Sequence, residues 1–123
     1  MAEMVALFAL RAVSGDATRP RYRPYGVGVQ KEWLFRLGGR PVIYQPANEY
    51  DDLPSEIRWR HCRYEPPDID FTWEREWRIA MERVDLDPAG TWVFVPTPKD
   101  ATRLADSRPK WRVVPLTLFG LPT

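Results

Sequence analysis

The sequence holds one cysteine, Cys62, and one histidine, His61, among its 123 residues. A single thiol excludes an internal disulfide framework, and the two residues lack the further ligands at fixed spacing that a zinc site requires. A reducing, cytoplasmic setting is therefore expected. Apolar runs are short. The longest, residues 4–10, falls well below the roughly 18 residues needed to span a bilayer, so no membrane partner is expected. It also follows Glu3 rather than a basic segment, so it reads as structure rather than as an export signal. Net charge is nearly absent: 18 basic and 17 acidic side chains give +1, which leaves no global field to hold a polyanion.

What is present is aromatic and apolar. The composition is 44% hydrophobic and 13% aromatic, with six tryptophans, which excludes a disordered tail and predicts a core rich in indole rings. The length suits one domain, residues 1–123. Thirteen prolines, about twice the average share, disfavour long helices. Lysine is scarce, with three against fifteen arginines, a bias consistent with guanidinium–carboxylate pairing or with base composition. Charge is segregated. Residues 11–40 carry seven bases and two acids, whereas residues 41–56 carry four acids and no base.

Residues 4–13 are apolar enough for a buried strand or a short helix, which periodicity does not separate, and a strand is the favoured reading. Residues 14–24 read as a loop, and 25–29 (YGVGV) as a strand that something approaches closely. Trp33, Leu34 and Leu37 fall at helical spacing before Gly38-Gly39, predicting a short helix over 30–37 with a left-handed exit. Short strands are expected at 41–45 and 91–95, and at 57–64 a half-buried strand, with a helix as the alternative. The sharpest alternation lies in 71–81, where Phe71, Trp73, Trp77, Ile79 and Met81 share one parity, broken only by Arg75. Thr97 followed by Pro98 marks a helix start, with the helix running to about Ala105. Residues 111–119 resume β-character, with Pro115 marking an edge or bulge. About six strands and two short helices make the fold class α+β, dominated by antiparallel strands.

On a strand, Glu74 and Glu76 project to the same side with Cα atoms about 7 Å apart, and Arg78 continues the row. Two carboxylates that close either serve a shared acid–base task or sit on a wet face where Glu76 and Arg78 pair. Arg75 either stacks between Trp73 and Trp77, the favoured reading, or emerges to hold an anion. His61 is expected to be a hydrogen-bonded core or boundary histidine, and Cys62 a buried thiol.

Four motifs in order, YGVGVQKEW (25–33), GGRPVIY (38–44), DFTWEREWRI (70–79) and WVFVPT (92–97), resemble the bacterial proteins grouped with the abortive phage infection AbiGi proteins and related families. These in turn are distantly similar to ADP-ribosyltransferases. The resemblance implies a split, mostly antiparallel β-sandwich with NAD in its cleft as substrate, in a phage-defence or toxin–antitoxin setting. In it Glu74-Arg75-Glu76 matches a carboxylate-x-Glu motif. Glu76 would hold the nicotinamide ribose and steady the oxocarbenium-like state, and Glu74 would activate the acceptor, a protein or nucleic acid. Tyr25 or Tyr44 would stack on nicotinamide, with Arg78 close to the dinucleotide. The family's first-strand Arg or His has no counterpart except Arg11, the one basic residue near this N-terminus. That departure keeps a second possibility open: a catalytically inactive, antitoxin-like binding module whose protein partner is encoded nearby, anchored by aromatics around Trp33 or Trp111. A third is nucleic-acid binding through the basic arm 11–40 with Tyr22 and Tyr25.

Overall fold

The computed structural model describes residues 4–10 and 22–120. In chain order the elements are β1 (Met4–Leu10), β2 (Tyr22–Gln30), α1 (Lys31–Arg36), β3 (Arg40–Pro41), β4 (Ile43–Gln45), β5 (His61–Arg63), β6 (Trp77–Arg78), β7 (Thr91–Val95), α2 (Pro98–Ser107) and β8 (Arg112–Pro115), with several 3₁₀ turns between them. Among the described residues the architecture is α+β, with strands in mixed sheets, two short helices and no barrel. No helix among the described residues is long and apolar enough to cross a membrane. Read from its length as one domain, the chain divides by its internal contacts into two compact units: Met1–Lys31 with Asp85–Thr123, and Glu32–Val84.

The first unit is built on a four-stranded sheet in the order β1-β2-β7-β8. β1 and β2 pair antiparallel, as do β2 and β7, whereas β7 and β8 run parallel. Gly26 lies opposite Phe94 and Gly28 opposite Trp92, so positions without a side chain face large rings on the next strand. Val29, Thr91, Phe94, Val95 and Leu116 are buried. The parallel pair β7 and β8 requires a crossover, which α2 supplies. The start of α2 is as the sequence implies: Thr97 Oγ1 accepts the Asp100 N–H at 3.2 Å and donates to Asp100 Oδ2 at 2.6 Å, with Pro98 in the first turn. β8 ends at Pro115 on the sheet edge, the position where a missing N–H costs no ladder bond. The expected β-run over 111–119 stops there, and Leu116–Phe119 form a 3₁₀ turn.

The second unit has little regular structure. α1 ends in a left-handed Gly38 with φ of 106°. Gly39 then packs so closely that a Cβ would lie 2.6 Å from Leu34 Cγ. β3 pairs antiparallel with β6, and β4 pairs parallel with β5. Three-residue and two-residue ladders carry few bonds, and 3₁₀ turns at Ala47–Asp52 and Ser55–Arg60, each preceded by proline, fill the rest.

Three strand pairings are antiparallel and two, β7 with β8 and β4 with β5, are parallel. Two expectations are corrected here. Residues 57–64 turn as 3₁₀ up to Arg60 and are extended only over His61–Arg63. Residues 71–81 are not one strand: Thr72–Glu74 form a 3₁₀ turn, Arg75 is left-handed at φ 47°, and only Trp77–Arg78 pair as β. The cause is Asp70, whose Oδ1 accepts both the Thr72 N–H at 3.0 Å and the Thr72 hydroxyl at 2.6 Å. An aspartate that bonds the backbone two residues on starts a turn and outcompetes a β-ladder. The alternating aromatics therefore do not form one buried face, and Trp73 is 66% exposed and Met81 50% exposed.

Candidate functional site

Glu74 and Glu76 sit on either side of the left-handed Arg75, so the strand geometry that would set their carboxylates in one row is absent. Glu76 immediately precedes β6, and its backbone carbonyl accepts the Val42 N–H at 3.0 Å. Its carboxylate is engaged by Arg78: Nε reaches Oε1 at 2.7 Å and Nη2 reaches Oε2 at 3.3 Å. The third guanidinium nitrogen, Nη1, donates to the carbonyls of His61 at 2.7 Å and Trp59 at 3.2 Å. One planar group thus ties β6 to the junction between a 3₁₀ turn and β5. The pair is half-buried, with side chains 32% and 35% exposed, and Glu76 holds the Arg78 guanidinium still more firmly protonated. The pairing of Glu76 with Arg78 that the spacing allowed is therefore present, though not on an open strand face.

Tyr44 joins this cluster through its hydroxyl, which donates to the Phe71 carbonyl at 3.2 Å and receives the Glu76 N–H at 3.4 Å. Its ring meets Tyr64 edge-on, with centroids 6.3 Å apart. Burial is the chief reason that its phenol is pushed above the ordinary tyrosine value. The Glu76 N–H opposes this, and charge on Cys62, Glu76 and Glu74 adds to it. The structure thus brings Tyr44, Glu74, Glu76 and Arg78 into one electrostatic neighbourhood. The polar groups of Tyr44, Glu76 and Arg78 are engaged with one another and with backbone carbonyls. A dinucleotide would have to displace Glu76 from its two-point contact and Tyr44 from its two bonds, and in that sense the residues present do not fit NAD.

The remaining site residues fall elsewhere. Tyr25 belongs to the first unit, where it borders a cleft of about 730 Å³. Val27, Val93, Phe94, Val95 and Leu104 form its largely apolar lining, and Asp100, Arg103 and Ser107 of α2 contribute polar groups. Tyr25 is 48% exposed there. Arg103 makes no ion pair among the described residues, while Asp100 is held by the Thr97 cap. Arg11 lies outside the described residues, as does the arm 11–21. Within the described part of that basic segment, Arg36 pairs with Glu32 at 3.3 Å, and Arg40 lies over the Phe35 ring at 3.8 Å while bonding the Phe35 and Gly39 carbonyls. These cations are engaged within the fold.

His61 is the hydrogen-bonded boundary residue expected, its Nε2 donating to the Pro46 carbonyl at 3.1 Å. Cys62 is buried. Among the described residues, the stacked guanidinium–ring pairs of this unit use Arg40 and Arg58 rather than Arg75. Trp33 and Trp111 are half-buried, and the exposed indole is Trp73. No cluster of three His, Cys, Asp or Glu side chains among the described residues is placed to hold a metal. Sequence reasoning missed the cleft. Its signal was the pairing of a buried strand, residues 91–95, with a capped helix whose Leu104 faces back onto that strand. Compared with protein-family models, curated proteins and solved structures, the chain matches none.

Proposed function

We propose that this chain is a non-catalytic binding module of a bacterial defence or toxin–antitoxin system, retaining transferase-like motifs without the transfer reaction. The observation that carries this is the locked Glu76 carboxylate, with both oxygens engaged by Arg78 and the same guanidinium fastened to two carbonyls. A transferase carboxylate must be free to meet a ribose hydroxyl as charge develops. Freeing this one would leave a half-buried guanidinium without its counter-charge. The largely apolar cleft beside Tyr25, with Arg103, which makes no ion pair among the described residues, in its lining, is the concave surface on which a protein partner of the module would seat a side chain.

The test is incubation with labelled NAD and candidate acceptor proteins and nucleic acids, alongside calorimetry with NAD. The expected result is no transferred label and no binding heat, while Glu76→Gln lowers thermal stability. Label transfer by the wild-type chain that disappears in a folded Glu76→Gln variant would overturn the proposal in favour of NAD-dependent ADP-ribosyl transfer.

A further inference from the structure

In the register of β2 with β7, Val27 lies opposite Val93, so Tyr25 and Val27 share one face of the first sheet with Val93 and Val95. These residues line the cleft of about 730 Å³. Its wall is α2, which packs chiefly against β8 and β7 and turns Asp100, Arg103, Leu104 and Ser107 to the cleft, the i, i+3, i+4, i+7 stripe of one helix side. Among the described residues no second helix is seated beside it over β2. The spacing of the elements fixes what would fill that place. Neighbouring strands lie about 4.8 Å apart, so the line over β2 and β1 runs two strand widths, or about 10 Å, from the line over β7 and β8. Packed helices lie about 8–10 Å apart. A helix laid along α2 would therefore rest on the sheet and on the Arg103–Leu104 flank at once.

Charge selects the polar side of that helix. Asp100 already accepts the Thr97 hydroxyl, whereas Arg103 is exposed and makes no ion pair among the described residues. The unit that holds the cleft, residues 1–31 and 85–123, carries ten bases and six acids, against eight and eleven in residues 32–84. Its field favours an anionic occupant. We propose, on the reading that the chain is a binding module, that the cleft takes an amphipathic helix of its protein partner. That helix lies along α2 with its apolar face on Tyr25, Val27 and Val93, and one of its acidic side chains pairs with Arg103.

Two synthetic peptides serve as probes in NMR titrations of the whole chain. Each is a helix former of about four turns with leucines at i, i+3, i+4 and i+7; one carries glutamates beside the leucines and the other lysines. The acidic peptide is expected to shift the amides of residues 25–28, 93–95 and 100–107, to gain helicity on binding, and to bind roughly threefold tighter than the basic one. Arg103→Glu, a change at an exposed position, should keep the melting temperature and reverse that preference, and Tyr25→Ala should weaken both peptides. Anilinonaphthalene sulfonate, a small amphipathic anion, is the control ligand. Shifts in the cleft from that dye with none from either peptide would overturn the proposal in favour of a small-molecule site. Shifts centred on the exposed Trp73, or a folded Arg103→Glu chain whose preference is unchanged, would also overturn it. Such a failure leaves the absence of label transfer from NAD standing, whereas label transfer with peptide binding intact would remove the non-catalytic reading alone.

Discussion

In the first unit the backbone is satisfied by neighbouring backbone, along a ladder that runs from Gly26↔Phe94 to Val29↔Thr91 and on to β8. In the second unit the same need falls to side chains. Arg58 donates to the carbonyls of Leu53 and Asp51, Arg60 to that of Pro41, Arg78 to those of Trp59 and His61, and Trp59 to that of Glu56. A ladder is a repeating, local solution. A set of arginine forks joins residues far apart in sequence, as in the 19 positions from Arg78 to Trp59. The arginine bias of the chain thus has a structural use in the second unit, where guanidiniums hold carbonyls more often than carboxylates. Arg's planar donor fork suits this, and lysine's point charge does not.

Substitutions that attack one solution at a time can break or sharpen this contrast. The largest effect is expected from Phe94→Ala, which empties a buried ring from the central strand and should cost about 3–5 kcal/mol. Amide exchange should then quicken over β2 and β7 more than over β3 to β6, and equal loss everywhere would show that the two units do not differ in this way. Next is Arg78→Leu, which removes the fork and leaves Glu76 and two carbonyls without it. A loss of about 2–3 kcal/mol is expected in denaturant titration. Arg78→Lys should recover little of it, and full recovery would mean that charge alone, not fork geometry, holds the unit.

A gain is expected at Gln45, whose buried Oε1 has no hydrogen-bond partner among the described residues. Gln45→Met should raise stability by about 1 kcal/mol, because the unmet acceptor is replaced by an apolar group of similar shape; a loss would reveal a partner for that oxygen. The smallest effect is a drift with pH. Burial raises the Tyr44 phenol, so the fold disfavours its ionised form. The contribution is complete below the ordinary tyrosine value of 10.0 and is lost as pH rises through the higher folded value. Tyr44→Phe should flatten the alkaline limb of the stability profile, and an unchanged limb would assign it to other groups.

The same contrast explains what was legible in the sequence. Residues 91–95, the Thr97 cap with Pro98, the Gly38 exit and Pro115 at an edge are all governed by neighbours within a few positions, and each emerged as expected. Residues 71–81 did not. Their period of two was sound as a pattern, yet the Asp70 turn and the Arg75 break overrode it. The grouping of Tyr44 with Glu76 and Arg78 depended on pairings across 32 and 17 positions that no local period encodes. Only the Glu76–Arg78 contact, two residues apart, was visible from spacing.

The order in which the two units are threaded also has a kinetic result. Residues 32–84 leave the ribosome after β2 and before β7, so the β1–β2 hairpin emerges without its central neighbour and waits while the whole arginine-held unit is synthesised. At about 5–20 residues per second that interval lasts several seconds. Throughout it a ribbon whose one charged strand residue is Arg23 leaves open the β2 edge that β7 will cover, which makes this nascent chain a natural client for holding chaperones.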